Sequence, residues 1–155
     1  MENKISILIS TKNRKTILKQ TLDVIFHHQN LPHENFEVIV TNDGTEPLDE
    51  LLTIFPYSNF KIIPNKHKPG LAGGRNNGAE NALYELIIFL DDDIIVTPNF
   101  FNNVIHVHQQ FDNIILGGNR FYPEELINIA KTYPFGRYKL EHEYQWLDKD
   151  TLKHL

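Results

Sequence analysis

Glu85-Leu-Ile-Ile-Phe-Leu-Asp-Asp-Asp93 joins a short apolar run to three consecutive carboxylates. An Ile- and Phe-rich run of this length is typical of a strand buried inside a parallel sheet, and it predicts a strand over residues 85–90. The aspartates then follow its carboxyl end. Because open α/β sheets bind ligands beyond the carboxyl ends of their strands, this segment indicates both the fold class and the place to search for a site.

The rest of the chain alternates between strand and helix patterns. Four further strands are predicted over residues 4–10, 36–41, 60–64 and 113–116. Helices are predicted over residues 14–28 and 71–83, and a third begins at Thr97-Pro98, where a hydroxyl cap precedes a proline. This alternation predicts an α/β domain with a Rossmann-like, mostly parallel sheet and helices on both faces.

Bulk composition narrows the functional classes. The 155 residues are 41% apolar and 23% charged, which is typical of a single globular domain. A net charge of −5 argues against a nucleic-acid partner, and the absence of cysteine excludes disulfides and thiolate metal sites. With no signal peptide and no long apolar run, we expect a cytoplasmic location, with peripheral association at the inner face of the membrane left open.

Polar side chains collect at the predicted strand ends. Ser10-Thr11 follows the first strand, Asn42-Asp43-Gly44 the second, and the aspartates the fourth. Adjacent carboxylates repel one another unless a cation compensates, and Mg²⁺ or Mn²⁺ prefers oxygen ligands completed by phosphate and water. The sequence therefore predicts a divalent-metal site here. The alternatives are a solvated acidic turn before the helix at Pro98 and, for Asp43-Gly44, a plain turn.

A glycine-rich segment, Lys68-Pro-Gly-Leu-Ala-Gly-Gly-Arg-Asn-Asn-Gly78, opens the second predicted helix. Its glycines cost helix propensity unless a close backbone approach requires them. Arg75 offers a forked donor suited to phosphate or carboxylate. The segment lacks the glycine–lysine–hydroxyl ending of a P-loop and does not follow the first strand, as a dinucleotide fingerprint would.

Four motifs in chain order resemble those of the family 2 glycosyltransferases of the GT-A fold. They are Ile5-Ser-Ile-Leu-Ile-Ser-Thr-Lys-Asn-Arg14, Val38-Ile-Val-Thr-Asn-Asp-Gly-Thr45, Gly70-Leu-Ala-Gly-Gly-Arg-Asn-Asn-Gly-Ala79 and Ile88-Phe-Leu-Asp-Asp-Asp93. The last resembles the family's Asp-x-Asp motif. Each motif alone is weak or moderate, but the set covers residues 4–101 and is specific.

The resemblance implies an inverting, metal-assisted transfer of sugar from a nucleoside-diphosphate donor, with UDP-sugars favoured. Thr11 and Arg14 would lie in the loop that holds the nucleotide. Asp43 would contact the base, and Arg75 would lie near the diphosphate.

Within the Asp-x-Asp motif, the resemblance implies that Asp91 contacts the donor's ribose and sugar and that Asp93 binds the Mn²⁺ or Mg²⁺ ion. Asp92 occupies the variable position and is assigned to the nucleotide-sugar site with a less defined role. The acceptor would be the hydroxyl of a glycan, a lipid-linked sugar or a protein.

The general base is not identifiable. In the family it lies in a later acidic motif, and the acidic residues after Asp93 have no matching context, among them Glu124, Glu125, Glu141 and Glu143. We expect residues 1–121 to form the donor-binding core. Residues 122–155 would begin an acceptor-side or C-terminal extension that is truncated.

Three rival functions can be weighed against the same residues. The chain could be a non-catalytic nucleotide-sugar-binding module, or a fragment that needs a missing acceptor half. A phosphoacceptor signalling domain requires an acidic pair after the first strand, where Ser10-Thr11 stands instead. A sugar nucleotidyltransferase requires a glycine- and arginine-rich loop at the same place, which is also absent.

Overall fold

The computed structural model describes residues 4–111, 113–118, 122 and 124–144, with the side chains of residues 141–144 left undescribed. The chain divides into two compact units, Met1–Ile114 and Ile115–Leu155. The first unit contains the strands β1 (Ile5–Thr11), β2 (Phe36–Asn42), β3 (Phe60–Pro64) and β4 (Leu86–Asp91) and the helices α1 (Lys15–His27), α2 (Asp49–Ile54), α3 (Leu71–Glu80) and α4 (Phe100–Gln110).

The four strands form one parallel sheet in the order β3-β2-β1-β4. Ile5 of β1 lies opposite both Phe36 of β2 and Leu86 of β4, so all three strands start at one level. Their carboxyl ends therefore lie at one edge. The predicted parallel α/β sheet is confirmed, and each of the four predicted strands begins and ends within one residue of the observed one.

One face of the sheet carries the apolar core. Alternation along β1 turns Ile5, Ile7 and Ile9 to the same side, where they are almost fully buried. Residues of α1, among them Leu18 and Leu22, belong to the same core cluster. Helices α2 and α4 contribute further apolar side chains to it. The side of α1 that packs on this core carries the i, i+4 apolar pattern from which the helix was predicted.

Helix α3 packs on the opposite face at very short range. A Cβ atom built on Gly74 would lie 2.1 Å from Oγ of Ser10, whereas one on Gly78 would make an ordinary 3.5 Å contact with Leu8. Ser10 and Leu8 alternate with the core isoleucines of β1, so α3 covers the other side. The prediction of helices on both faces is thus confirmed. Gly74 allows the close approach that the helix-propensity cost of glycine suggested.

We expect Gly74→Ala to be destabilising and Gly78→Ala to be tolerated. The added methyl at position 74 would overlap Ser10, and overpacking of this kind costs about 1–3 kcal/mol. The methyl at position 78 meets no clash and gains up to about 1 kcal/mol of helix propensity. Urea unfolding of both variants measures the difference. Equal free energies of unfolding would contradict the close packing of α3.

A buried carboxylate ties the connection between α3 and β4 to the amino ends of the strands. Glu37 of β2, whose side chain is 5% exposed, accepts hydrogen bonds from the Ser6 hydroxyl at 2.7 Å and from the Leu83 amide, and forms an ion pair with Lys61 at 3.2 Å. Lys61 also donates to the carbonyl of Asn81, directly after α3. This network holds the α3–β4 connection against the amino ends of the strands.

The predicted fifth strand is wrong. Residues 113–116 form no strand; Asn113 has a left-handed backbone (φ 55°), and the side chain of Ile115 is 99% exposed. An apolar run becomes a strand only where a neighbouring strand accepts its backbone hydrogen bonds, and position 113 turns the chain instead. The predicted helix starting at Pro98 begins at Phe100, after a turn in which the Phe100 amide bonds the Thr97 carbonyl.

The second unit contains two helices that no sequence pattern predicted, α5 (Glu124–Lys131) and α6 (Pro134–Tyr144). Helix α5 has apolar residues, among them Leu126 and Ile129, but none of its described side chains is buried. Within the described part of the chain, no helix has both the length and the hydropathy needed to span a bilayer. The assignment of residues 122–155 to an acceptor-side extension stays a prediction.

Candidate functional site

The predicted site residues lie at the carboxyl edge of the sheet, around the end of β1. The strand order reverses at β1, because β2 and β3 extend the sheet on one side of it and β4 on the other. Crevices at such reversal points are where open α/β sheets bind ligands. Thr11 ends β1 and Asp91 ends β4, and the two strands are hydrogen-bonded neighbours.

Asp92 is the buried member of the acidic triple, at 4% exposure. Its carboxylate accepts a hydrogen bond from the Thr11 hydroxyl at 2.6 Å and one from Nη1 of Arg14 at 2.8 Å. Its backbone carbonyl accepts a third from the Thr21 hydroxyl of α1 at 2.8 Å. Asp92 therefore anchors the loop after β4 to the segment that joins β1 and α1.

Arg14 bridges two of the three carboxylates. Nη1 contacts Asp92, and Nη2 donates to Oδ2 of Asp93 at 2.9 Å. The hydrogen bond to Asp93 and the charge of Asp92 raise the pKa of Arg14 above its usual value, so the guanidinium stays charged. Arg14 is about half exposed, as is Asp93. Solvent therefore reaches the outer carboxylate of the triple.

Asp91 faces the second arginine predicted for the site. Nη2 of Arg75, on α3, donates to Oδ1 of Asp91 at 3.0 Å, and the Arg75 guanidinium lies 5.7 Å from the ring centroid of Phe89. The glycine-mediated approach of α3 to β1 brings Arg75 within reach of β4. Arg14 and Arg75 thus place two positive charges beside the three carboxylates of the predicted metal site.

Asp43 follows β2 and is held by its neighbours. Its carboxylate, 5% exposed, accepts hydrogen bonds from the Gly70 amide at 2.9 Å and from the side-chain amide of Asn65, and Lys12 lies 3.8 Å away. The Asp43 amide donates to the Thr11 carbonyl at 2.8 Å, which continues the ladder between β1 and β2. Gly44 begins a bend after β2, and the Asp43 carboxylate fixes the start of the glycine-rich segment.

Sequence reasoning missed three polar residues that shape this edge. Asn13 adopts a left-handed backbone (φ 54°) and accepts hydrogen bonds from the Thr45 and Glu46 amides. Thr21 and Asn65 hold Asp92 and Asp43, as described above. A signal existed only for Asn13, because asparagine is enriched at left-handed positions in turns.

The acidic triple can supply only part of a metal's coordination shell. Within the residues that the structure describes, no three His, Asp or Glu side chains converge so as to hold an ion. Asp91 and Asp93 nevertheless present partly exposed carboxylate oxygens. Mg²⁺ is often bound through one or two carboxylates and completed by substrate phosphates and water, and the residues present fit that kind of shared site.

Comparison with known proteins gives this geometry a family context. The model of glycosyl transferase family 2 matches residues 6–154. The uncharacterized glycosyltransferase YfnE of Bacillus subtilis is 28% identical over 150 residues, which cover 92% of this chain and 35% of YfnE.

Two solved structures share the fold. S. aureus TarS (residues 1–349) in complex with UDP-GlcNAc aligns with a TM-score of 0.60 at 18% identity, over 77% of this chain and 38% of that one. The mannosyltransferase PcManGT of Pyrobaculum calidifontis, in complex with GDP-Man and Mn²⁺, aligns with a TM-score of 0.57 at 19% identity, over 66% and 31%.

The chain thus spans about a third of the length of these proteins. Their common architecture confirms the GT-A form of the Rossmann-like sheet. The family match extends over nearly the whole sequence. Three of the four motifs include the carboxyl ends of β1, β2 and β4, and the other forms most of α3. The chain belongs to glycosyl transferase family 2.

Proposed function

We propose that the carboxyl edge around β1 and β4 binds a nucleoside-diphosphate sugar, with UDP-sugars favoured, for inverting and metal-assisted transfer to an acceptor hydroxyl. The observation that carries this is the clustering of two arginines and three aspartates at the reversal of strand order. A diphosphate and a divalent cation together match such a mixed set of charges. TarS in complex with UDP-GlcNAc and PcManGT in complex with GDP-Man and Mn²⁺ support the ligand class.

Each residue would act through its observed position. Arg75, which pairs with Asp91 and is 39% exposed, would turn its guanidinium toward the diphosphate. The partly exposed carboxylate of Asp91 would accept hydrogen bonds from donor hydroxyls. The carboxylate of Asp43 retains acceptor capacity beside its two amide donors and would contact the base.

Asp93 would be the protein's ligand to Mn²⁺ or Mg²⁺ because it is the most exposed of the three carboxylates. The ion, when bound, would neutralise charge on the departing diphosphate as a Lewis acid. Thr11 and Asp92 point inward and would support the site rather than contact the donor. A general base would deprotonate the acceptor hydroxyl, and it stays unassigned.

A second candidate is a nucleotide-sugar-binding module without transfer activity of its own. Binding alone needs no general base, the role that stays unassigned in the chain. Donor hydrolysis or transfer assayed with Mn²⁺ and varied acceptors separates the two. Donor binding without turnover would support the module and contradict catalysis by this chain alone.

We expect UDP or a UDP-sugar to raise the melting temperature of the chain, and to do so only with Mn²⁺ or Mg²⁺ present. A ligand at about 100 times its Kd adds about 2.7 kcal/mol of stability, which corresponds to a rise of about 5–10 °C for a chain of this size. A thermal-shift screen of UDP- and GDP-linked sugars measures this. No rise with any nucleotide, with or without metal, would contradict the proposed donor site.

A further inference from the structure

Arg14 occupies a position that the donor-binding proposal does not by itself explain. Its guanidinium is shared between a buried carboxylate, Asp92, and an exposed one, Asp93. Arg14 stands at the start of α1, 78 and 79 positions before these partners. The fork geometry of arginine allows each nitrogen to serve a different carboxylate, which a lysine ammonium cannot do in the same way.

The two halves of this bridge differ in how firmly they are held. Asp92 has two further hydrogen bonds, from the hydroxyls of Thr11 and Thr21, and is almost fully buried. A buried carboxylate that lost its cationic partner would be strongly destabilised. Asp93, by contrast, is about half exposed, and a surface ion pair of this kind contributes little. Arg14 is therefore fixed through Asp92, and its contact with Asp93 is the one that can be exchanged.

The carboxylate that would bind a divalent cation is thus the one that Arg14 already contacts. Oδ2 of Asp93 accepts from Nη2 at 2.9 Å. A cation placed on that carboxylate would lie within a few ångströms of the guanidinium, and two positive charges at that distance repel. The repulsion is relieved when a diphosphate brings negative charge, because phosphate oxygens are also good acceptors for an arginine fork.

We propose that Arg14 is a built-in counter-cation of the acidic triple, which occupies Asp93 until a divalent cation arrives together with the donor's diphosphate. Asp92 is the positioning residue that keeps Arg14 in place. This inference rests on the proposed donor site and deepens it. It implies that the metal binds poorly without nucleotide, and that Arg14 is the reason.

The test compares Mn²⁺ binding by the full chain and by Arg14→Gln, measured by electron paramagnetic resonance in the absence of nucleotide. Loss of one positive charge beside the cation should tighten Mn²⁺ binding about tenfold. Arg14→Lys, which keeps the charge, should stay within about threefold of the wild type. Lys15→Gln removes the same charge one residue along, from a surface pair with Glu50, and should leave Mn²⁺ affinity unchanged.

The direction of the change distinguishes this role from a structural one. If Arg14 only held the loop together, Arg14→Gln would weaken Mn²⁺ binding, and unchanged or weaker binding therefore overturns the inference. UDP titrated into wild-type protein with Mn²⁺ tests the donor site independently. Failure of UDP to bind overturns both proposals, whereas UDP binding with an unresponsive Arg14→Gln overturns the inference alone.

A measurement on the wild type covers the case in which Arg14→Gln does not fold. The ¹⁵N signals of the Arg14 guanidinium are followed by NMR while Mg²⁺ and UDP are added, singly and together. We expect a large shift only when both are present, as Nη2 leaves Asp93. Arg14 signals that do not move at saturating Mg²⁺ and UDP would overturn the inference.

Discussion

Asp93→Ala is expected to abolish Mn²⁺-dependent binding of UDP while leaving the fold intact. The side chain is about half exposed and its ion pair with Arg14 lies at the surface, so its removal should change the free energy of unfolding by no more than about 0.5 kcal/mol. It is, however, the most exposed of the three carboxylates and the proposed protein ligand of the metal. Loss of a group that merely orients a metal ligand costs about 10–100-fold in metal affinity, so we expect a loss of roughly 100-fold or more.

Calorimetric titration of UDP at saturating Mn²⁺ measures this effect, with Asp91→Ala as a second variant and Asp23→Ala as the matched control. Asp91 should also be required, since it lies at the same strand end and pairs with Arg75. Asp23 is an exposed carboxylate on α1 that pairs with His27 at 2.8 Å, outside the site. Its removal changes the net charge equally and should not alter UDP binding. Wild-type affinity in both Asp91→Ala and Asp93→Ala would refute the site.

The largest expected effect on stability is that of Glu37→Ala. The substitution leaves the Ser6 hydroxyl, the Leu83 amide and the Lys61 ammonium without their shared acceptor in a region where Glu37 is almost fully buried. Unsatisfied buried groups cost about 1–3 kcal/mol each, and breaking a buried ion pair costs about 3–5 kcal/mol. Because Lys61 is partly exposed and can turn to water, we expect a total of roughly 3 kcal/mol.

Glu50→Ala is the matched control for Glu37→Ala. Glu50 also pairs with a lysine, Lys15, at 3.0 Å, but its side chain is 65% exposed. An exposed pair of this kind contributes about 0–1 kcal/mol. The free energies of unfolding in urea for the two variants should therefore differ by at least about 2 kcal/mol. Equal losses would mean that burial of the Glu37 network does not matter for stability.

A change of about 3 kcal/mol would be a large part of the whole stability, which is about 5–15 kcal/mol for ordinary domains. The network also lies between the two elements that carry Arg75 and Asp91, because it holds the Asn81–Leu83 connection after α3 and before β4. A partly unfolded connection would misplace both site residues. Weaker UDP binding by Glu37→Ala would then result from the displacement of Arg75 and Asp91, without any contact between Glu37 and the donor.

Local patterns of the sequence predicted the framework well. The alternation of Ile5, Ile7 and Ile9 and the apolar run before Asp91 placed two strands within one residue of their observed ends. These patterns are informative because burial against one face requires a fixed spacing of apolar side chains. The same reasoning failed for residues 113–116, whose apolar side chains have the composition of a strand but whose backbone turns at Asn113.

Sequence by itself also determined which side chains meet at the site. Parallel strands end at the same edge, so the sequence predicted that one pocket could contain Thr11, Asp43 and the acidic triple, and the order β3-β2-β1-β4 makes their strands neighbours. Arg75 joins them because the glycines of α3 permit its close approach to β1, and glycine spacing is visible in the sequence. The family resemblance rests on these same positions.

Only the tertiary structure decided what each charged residue does there. Asp92, at the variable position of the motif, is the buried anchor, whereas Asp93 is exposed and shared with Arg14. The hydrogen bond between Asp92 and Thr11 joins residues 81 positions apart. Which of the three adjacent carboxylates turns inward depends on the register of β1 against β4. Register and side-chain direction arise from packing between distant segments, so no local pattern encodes them.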